Sequence, residues 1–579
     1  MERQLRRQVR NRVLGITGIL VLLAAVIVAR FFSLQVTGHR RLSARAAEQH
    51  TEEIQFLPKR GMISDRAGRR LAVDVEVDSI YGVPSQVADK AAVARRLAAA
   101  TGRDPARYTR ELAKKRPFVW LERRVSPAVS SQVAAQNWKG VGFIKENRRF
   151  YPQREFGAQV LGIAGIDNLG LAGIELGYDR DLWREAVVVM ADRDAMGNDI
   201  LVSGPPPEAL REGDELRLTL DEVIQFIAQE ELGRGVESSG AAGGSIVVLE
   251  PNSGEILAMA SAPFFNPNDP AACTPSAMRN RSIADALEPG SILKACLLAA
   301  ALEERVVTRE TVLHCENGTM PFPGGALHDV HPHGALSVND VIAKSSNIGS
   351  TKIAQRLGAA NYHRYLKAFG FGEKTGVDLP GEAVGMLRPV ARWSGRSIAS
   401  VAIGQEVSVT PLQMASAFAA TVNGGTLWRP RVARELVSPE GKVIKRYEAQ
   451  RVRQVISPET SRQVVESLVH AVAEGTGKAA AVEGFAVGGK TGTAQKYDPQ
   501  LRTYSGQKYL ASFVGVAPAR DPRLVVLVMI DEPQGVIYGG SVAAPVFKRV
   551  VQRTLRYLNV PPETREQVLL VRAFPKGGE

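Results

Sequence analysis

The stretch Glu288-Pro289-Gly290-Ser291-Ile292-Leu293-Lys294, running on through Ala295 to Leu302, decides how this chain is read. Pro289-Gly290 breaks structure, and the run that follows predicts a helix starting at Ser291. Almost every position from Ile292 to Leu302 is apolar, so this helix is expected to be buried all round, with Lys294 as its one charge. Three residues after Ser291, Lys294 lies on the same face, one turn on. Burial disfavours the charged form of a lysine and lowers its pKa. A neutral amine next to a serine hydroxyl is a general base beside a nucleophile. Ser291 and Lys294 are therefore the expected nucleophile and base.

Two further strings, Ser345-Ser346-Asn347 and Lys490-Thr491-Gly492-Thr493, follow in that order. With Ser-x-x-Lys they make the three-part signature of a serine acyl-transfer site. Asn347 both accepts and donates hydrogen bonds, so it can hold Lys294 and orient a substrate amide. Ser345 is the expected proton relay between Lys294 and a leaving amine. Lys490 is expected to supply fixed positive charge facing a substrate carboxylate, with the Thr491 and Thr493 hydroxyls binding that group. Gly492, with Gly488-Gly489, is expected to let a strand edge approach a ligand closely. The backbone N–H groups of Ser291 and Thr493 are the candidates for an oxyanion hole.

Outward from these residues the chain resembles the class B penicillin-binding proteins, specifically the division-specific (FtsI-type) peptidoglycan D,D-transpeptidases. The strings that carry the likeness include Arg60-Gly-Met-Ile-Ser-Asp-Arg-Ala-Gly68, Phe118-Val-Trp-Leu121, Arg149-Phe-Tyr-Pro152, Gly173-Ile-Glu175, Thr219-Leu-Asp221 and Phe265-Asn-Pro-Asn268. Later come Gly404-Gln405, Val409-Thr-Pro-Leu-Gln413, Asn423-Gly-Gly425, Tyr538-Gly-Gly540 and Ala543-Ala-Pro-Val-Phe547, so the resemblance spans nearly the whole chain. It implies an α/β penicillin-binding transpeptidase fold, an antiparallel sheet packed with helices plus a helical lobe. An α+β pedestal domain and one transmembrane helix would precede it. The implied reaction is two-step acyl transfer through a Ser291 acyl-enzyme, cross-linking peptidoglycan stem peptides, with no cofactor and no metal. The implied partners are stem peptides, β-lactams bound covalently, a SEDS-family lipid II polymerase and other division proteins.

Composition agrees with this. The 579 residues suggest two or three domains, and 45% hydrophobic content is that of a globular protein. A net charge of +13 comes from scattered basic residues without a nucleic-acid-binding motif, so an anionic membrane or envelope polymer is the better partner for it. Met1 to Arg12 carries five arginines and one acid, and Val13 to Ala29 carries no charge. Counted to Val36, the apolar run gives about 36 Å of helix, enough for a hydrocarbon core of about 30 Å. The arginines place the short tail in the cytoplasm and the rest outside. A cleaved signal peptide is the rival, but its apolar core would be shorter and a small-x-small site would follow.

The expected organisation is a tail (1–12), a transmembrane helix (13–36), a pedestal (37–215), the transpeptidase domain (216–562) and a C-terminal tail (563–579). The pedestal boundary is expected at the stiff breaker Ser203-Gly-Pro-Pro-Pro207. Ser245–Glu250 and Glu255–Ala260 read as a hairpin, Ala511–Ala517 and Leu524–Ile530 as strands, and Ala544–Leu558 as a closing helix. Of three cysteines, Cys296 reads as a packed hydrophobe, while a Cys273–Cys315 bridge stays open. His328-Asp-Val-His331-Pro-His333 looks like a metal cluster, but Pro332 makes it a loop leading into the helix of the second motif, and that reading is preferred.

Several alternatives use the same motifs. A D,D-carboxypeptidase or β-lactamase would let water deacylate Ser291; the pedestal and the anchor argue against both. A β-lactam sensor would need a cytoplasmic effector or more membrane helices. An elongation-complex transpeptidase shares the general pattern, and a non-catalytic division scaffold would not need Ser291, Lys294, Asn347 and Lys490 intact.

Overall fold

The computed structural model describes residues 2–40, 51–56, 58–116, 118–185, 187–193, 199–200, 212–498 and 503–563. The expected breaker at Ser203 to Pro207, and all but the first residue of the expected C-terminal tail, lie outside them. The chain forms two compact units, Met1–Pro58 with Arg184–Arg211, and Lys59–Trp183 with Glu212–Glu579.

In the first unit the helix Glu2–Phe32 continues as a π-helical turn over Ser33–Thr37. Leu5–Thr37, 33 residues, is long and apolar enough to cross a membrane. Strand Thr51–Phe56 pairs antiparallel with Val187–Arg193, which also pairs with Asp199–Ile200.

The second unit is built on five strands: β1 (Gly243–Leu249), β2 (Ile256–Ala262), β3 (Gly488–Asp498), β4 (Thr503–Ala517) and β5 (Leu524–Asp531). Their order is β2-β1-β5-β4-β3, with every neighbouring pair antiparallel. The helices that position the site are α1 (Glu222–Ser238), α2 (Lys294–Glu303), α3 (Val338–Lys344), α4 (Asn347–Leu357), α5 (Pro411–Val422), α6 (Pro458–Ala473) and α7 (Gly539–Tyr557). Because strand side chains alternate faces, the apolar run of β5 feeds two cores. Val525, Leu527 and Met529 join the core that holds α2 and α5, while Val526, Val528 and Ile530 pack with α1 and α7. The hairpin, strands and closing helix lie where the sequence pattern puts them, with ends shifted in both directions. Helix α2 is buried on all sides, as its unbroken apolar run requires. Truncating Leu298 to alanine there would cost about 2–5 kcal/mol.

The nucleophile's surroundings differ from expectation. The helix does not begin as an α-helix at Ser291. Gly290–Leu293 is a 3-10 turn, and α2 starts at Lys294.

The pedestal part is organised on strand Arg70–Gly82, which pairs with Val141–Phe150, Val119–Glu122 and Ile63–Ser64. Strand Glu215–Leu218 joins Ile63–Ser64 in parallel and Ala433–Val437 antiparallel. The expected division at residue 215 therefore falls inside one continuous sheet. A third core surrounds Ile80, Leu97, Tyr108, Leu112 and Leu121.

Near this sheet sits a buried ionic network. Glu175, with a fully buried side chain, accepts from Arg60 Nε and Arg149 Nε, each at 2.6 Å. Arg60 also reaches Asp179 at 2.6 Å and Arg149 reaches Asp74 at 3.3 Å. The bridge left open between Cys273 and Cys315 is not formed, and all three cysteines are free thiols.

Candidate active site

The three strings converge. The 3-10 turn carrying Ser291 is fixed from both sides. Leu287 and Val409 exchange backbone hydrogen bonds at 2.9 Å, and Gly290 N donates to Gly404 O at 3.0 Å. A Cβ at Gly404, where φ is +82°, would lie 2.0 Å from Gly290 O, so only glycine fits. The Glu288 carboxylate accepts from Glu406 N at 2.9 Å and from the Tyr504 hydroxyl at 3.1 Å, holding the residues just before the nucleophile. Side chains three apart eclipse in a 3-10 turn, which stacks half-buried Ser291 over Lys294.

Lys294 is fully buried. Its Nζ donates to Ser345 O and Asn347 Oδ1, both at 2.8 Å, to Ser346 O at 3.3 Å and to Ser345 Oγ at 3.4 Å. Among the described residues Ser291 Oγ is not one of its acceptors, so the amine is parked on the second motif. Burial pushes Lys294 down to about 7, against the opposing charge of Asp329.

Ser345 caps the C-terminus of α3 at φ +60°, a conformation a serine adopts only under constraint. Its Oγ accepts from Lys490 Nζ at 2.9 Å, so both lysines meet on one hydroxyl. Lys490 is 1% exposed, and burial followed by the Lys294 amine drives it well below the ordinary lysine value. That direction runs against the expectation of a fixed positive charge. Two buried amines sharing one hydroxyl cannot both stay protonated at little cost.

Asn347 is locked from all sides. Its Nδ2 donates to His328 O at 2.9 Å, which leaves Oδ1 to face Lys294. Its backbone N–H donates to Asp329, which also accepts from Ile348 N at 3.0 Å and from Ser346 Oγ at 2.6 Å. The segment that looked like a metal cluster is thus the brace of the second motif. Among the described residues, no His, Cys, Asp or Glu group is arranged to hold a metal ion.

The third string lies on β3, the sheet's edge strand, where alternate backbone groups lack a sheet partner. Thr491 Oγ1 meets Thr476 Oγ1 at 2.7 Å, and Thr493 Oγ1 accepts from Gly539 N at 3.1 Å. A Cβ at Gly492 would lie 2.3 Å from Ser512 Oγ and 3.1 Å from Ile292, so this glycine seats the strand against the nucleophile's turn. Gly489 makes room for the Phe513 ring at 2.4 Å and Gly488 for Leu468 at 3.2 Å. At all three glycines a side chain would crowd the protein's own packing.

Three residues of the site escaped the sequence reading. Asp329 was visible inside the histidine cluster, but it lies 18 residues before Asn347, too far for a capping signal to link it to α4. Thr476 gave no signal, because nothing in Glu474-Gly475-Thr476 marks a partner for β3. Glu288 stood beside the first motif but read only as part of a breaker.

Comparison with known proteins bears on this geometry. Residues 244–552 match the penicillin binding protein transpeptidase domain, and residues 55–218 match the penicillin-binding protein dimerisation domain. The chain is 33% identical to the peptidoglycan D,D-transpeptidase FtsI of Escherichia coli K12, over 94% of this chain and 92% of that one. It is 37% identical to stage V sporulation protein D of Bacillus subtilis, over 96% of this chain and 87% of that one. Among solved structures, penicillin binding protein 3 of Mycobacterium tuberculosis complexed with aztreonam aligns with a TM-score of 0.69 at 28% identity, covering 88% and 98% of the two chains.

Proposed function

This chain belongs to the class B penicillin-binding proteins, the peptidoglycan D,D-transpeptidases, and from that premise we propose that Ser291, Lys294, Ser345, Asn347 and Lys490 carry the acyl transfer. The observation that supports this most strongly is the meeting of the Lys294 and Lys490 amines on Ser345 Oγ beside a locked Asn347.

In the first step neutral Lys294 takes the Ser291 hydroxyl proton as Oγ attacks the carbonyl of the penultimate D-alanine. The backbone N–H groups of Ser291 and Thr493 receive the developing oxyanion. The C–N bond breaks, and the proton passes from Lys294 through Ser345 to the departing D-alanine amine. A neighbouring stem's amine then attacks the acyl-enzyme, its proton returns along the same path, and Ser291 leaves as the alcohol. Lys490, Thr491, Gly492 and Thr493 form the carboxylate subsite. An arriving carboxylate supplies the countercharge that Lys490 lacks and restores its proton. A β-lactam enters the same route, but its leaving amine stays tethered in the opened ring.

The test is release of D-alanine and cross-linked product from a stem pentapeptide with an added acceptor amine. Ser291→Ala should abolish both, and D-alanine release by that variant would sink the assignment. Release without cross-linking, under full acceptor, would instead make the protein a carboxypeptidase.

The cellular role proposed is septal. Likeness to a relative named FtsI over most of both chains supports it. The five arginines before the apolar helix support a cytoplasmic N-terminus with the site outside the inner membrane. A SEDS-family lipid II polymerase would act in trans, touching the membrane helix and the adjoining pedestal. Depletion should give filaments, with a fluorescent fusion at midcell. Round cells with a dispersed signal would move the protein to the elongation complex.

A further inference from the structure

Asp329 sits one step behind the machinery just described, and its position does more than brace a helix. Lys294 Nζ donates to Asn347 Oδ1 and Ser346 O, and those same two residues donate to the Asp329 carboxylate through Asn347 N and Ser346 Oγ. The carboxylate also accepts from Ile348 N, at the start of α4 where the helix dipole favours negative charge. Three ionisable groups border this network among the described residues: Asp329 from the loop that ends strand Gly325–His328, Lys490 from β3, and the Cys315 thiol. That thiol lies 3.3 Å from Ser346 Oγ and is held protonated by burial and the Asp329 charge. Burial favours a neutral Lys294 and Asp329 is the negative charge holding against it, while the Lys294 amine in turn lowers Lys490.

We infer that Asp329 is a positioning residue that both fixes Asn347 on Lys294 and, through its charge, sets the pH at which acylation of Ser291 switches on. The inference rests on Lys294 acting as the base. Ser346 is already the N-cap of α4, its hydroxyl accepting from Gly349 N at 2.9 Å, so the charge balance explains why a carboxylate stands behind a helix end that has its cap. With the charge present, the lysine pair gives up its proton near neutral pH. Without it, the pair would be deprotonated already in acid, and the conjugate acid would be a stronger donor to the leaving amine.

The experiment measures the penicillin acylation rate of the full-length protein from pH 4.5 to 9 for wild type and Asp329→Asn. The readout is the midpoint of the acid limb, separate from the plateau. Removing the negative charge lowers the lysine pKa, so the midpoint should move to lower pH by about one unit, whatever happens to the plateau. Asp329→Glu, which keeps the charge, should leave the midpoint within a few tenths of a unit of wild type. Should the asparagine variant fail to fold, Asp329→Ser keeps an acceptor for the α4 N–H groups and reads the same shift. A reduced plateau with an unmoved midpoint would make Asp329 a structural brace only and overturn the inference. A wild-type rate with no acid limb at all would instead overturn the base assignment for Lys294.

Discussion

Two regions of this protein bury cations, and they treat them oppositely. In the pedestal Arg60 and Arg149 are wrapped by Glu175, Asp74 and Asp179, so every buried charge has a carboxylate against it. In the catalytic part Lys294 and Lys490 are as deeply buried, but their direct hydrogen-bond acceptors are neutral oxygens. A paired guanidinium stays charged, and Glu175 with Asp74 raises Arg149 despite its burial. The under-paired amines are pushed toward neutrality instead. The same physical cost thus yields a rigid joint in one place and a proton acceptor in the other. Buried charge becomes chemistry only where its counterion is withheld.

The strongest way to break this contrast is to exchange the type of cation. Lys294→Arg keeps a positive charge that cannot be given up, so penicillin acylation should fall by about a thousandfold or more. Near-normal acylation by the folded variant would place the base elsewhere. In the pedestal the effect should fall on stability rather than rate. Glu175→Gln leaves two buried guanidiniums short of charge and should cost about 3–5 kcal/mol, read as a lower melting temperature, while acylation per folded molecule stays near wild type. Unchanged melting would remove the pedestal from the comparison.

A subtler distinction appears with pH. Lys294 titrates near 7 in the folded protein against an ordinary value of 10.5. Between those values the unfolded chain binds a proton that the folded one does not, so stability should rise with pH across that window. The slope from this lysine is at most about 1.4 kcal/mol per pH unit. Lys294→Met should flatten it while leaving or raising stability at neutral pH, and an unaltered slope would show that Lys294 stays protonated. The smallest effect concerns Thr476, whose hydroxyl meets Thr491. Thr476→Val should weaken substrate recognition by about fivefold, one neutral hydrogen bond's worth. That loss should appear in KM more than in kcat, and Thr476→Ser should restore it.

How much was legible follows from these residues. The unbroken apolar runs of α2 and β5 announced the core because an element buried on every face leaves no polar positions. Ser291, Lys294 and Asn347 announced the site because their chemistry is tied to short spacings. The string Val409-Thr-Pro-Leu-Gln413 also has a local meaning, a capping box for α5 with Thr410 and Gln413 each bonding the other's backbone. What did not show were ties between distant segments. Tyr151 and Asn268 exchange hydrogen bonds at 3.0 and 2.8 Å across 117 residues. The arginine and glutamate strings were noticed one by one, yet only the folded chain brings Arg60, Arg149 and Glu175 together. The burial of Lys490 did not show for the same reason, since spacing says nothing of how dry a side chain will be.

The central claim is that Ser291 is acylated with a buried, neutral Lys294 as its base. The rate of mass gain of the full-length protein with penicillin, followed by intact mass spectrometry across pH 5 to 9, tests it most directly. One covalent equivalent should form, mapped to Ser291 and absent from Ser291→Ala, at a rate that rises with pH through a midpoint near 7. An adduct on another residue, or a rate that stays flat through neutral pH, would contradict it.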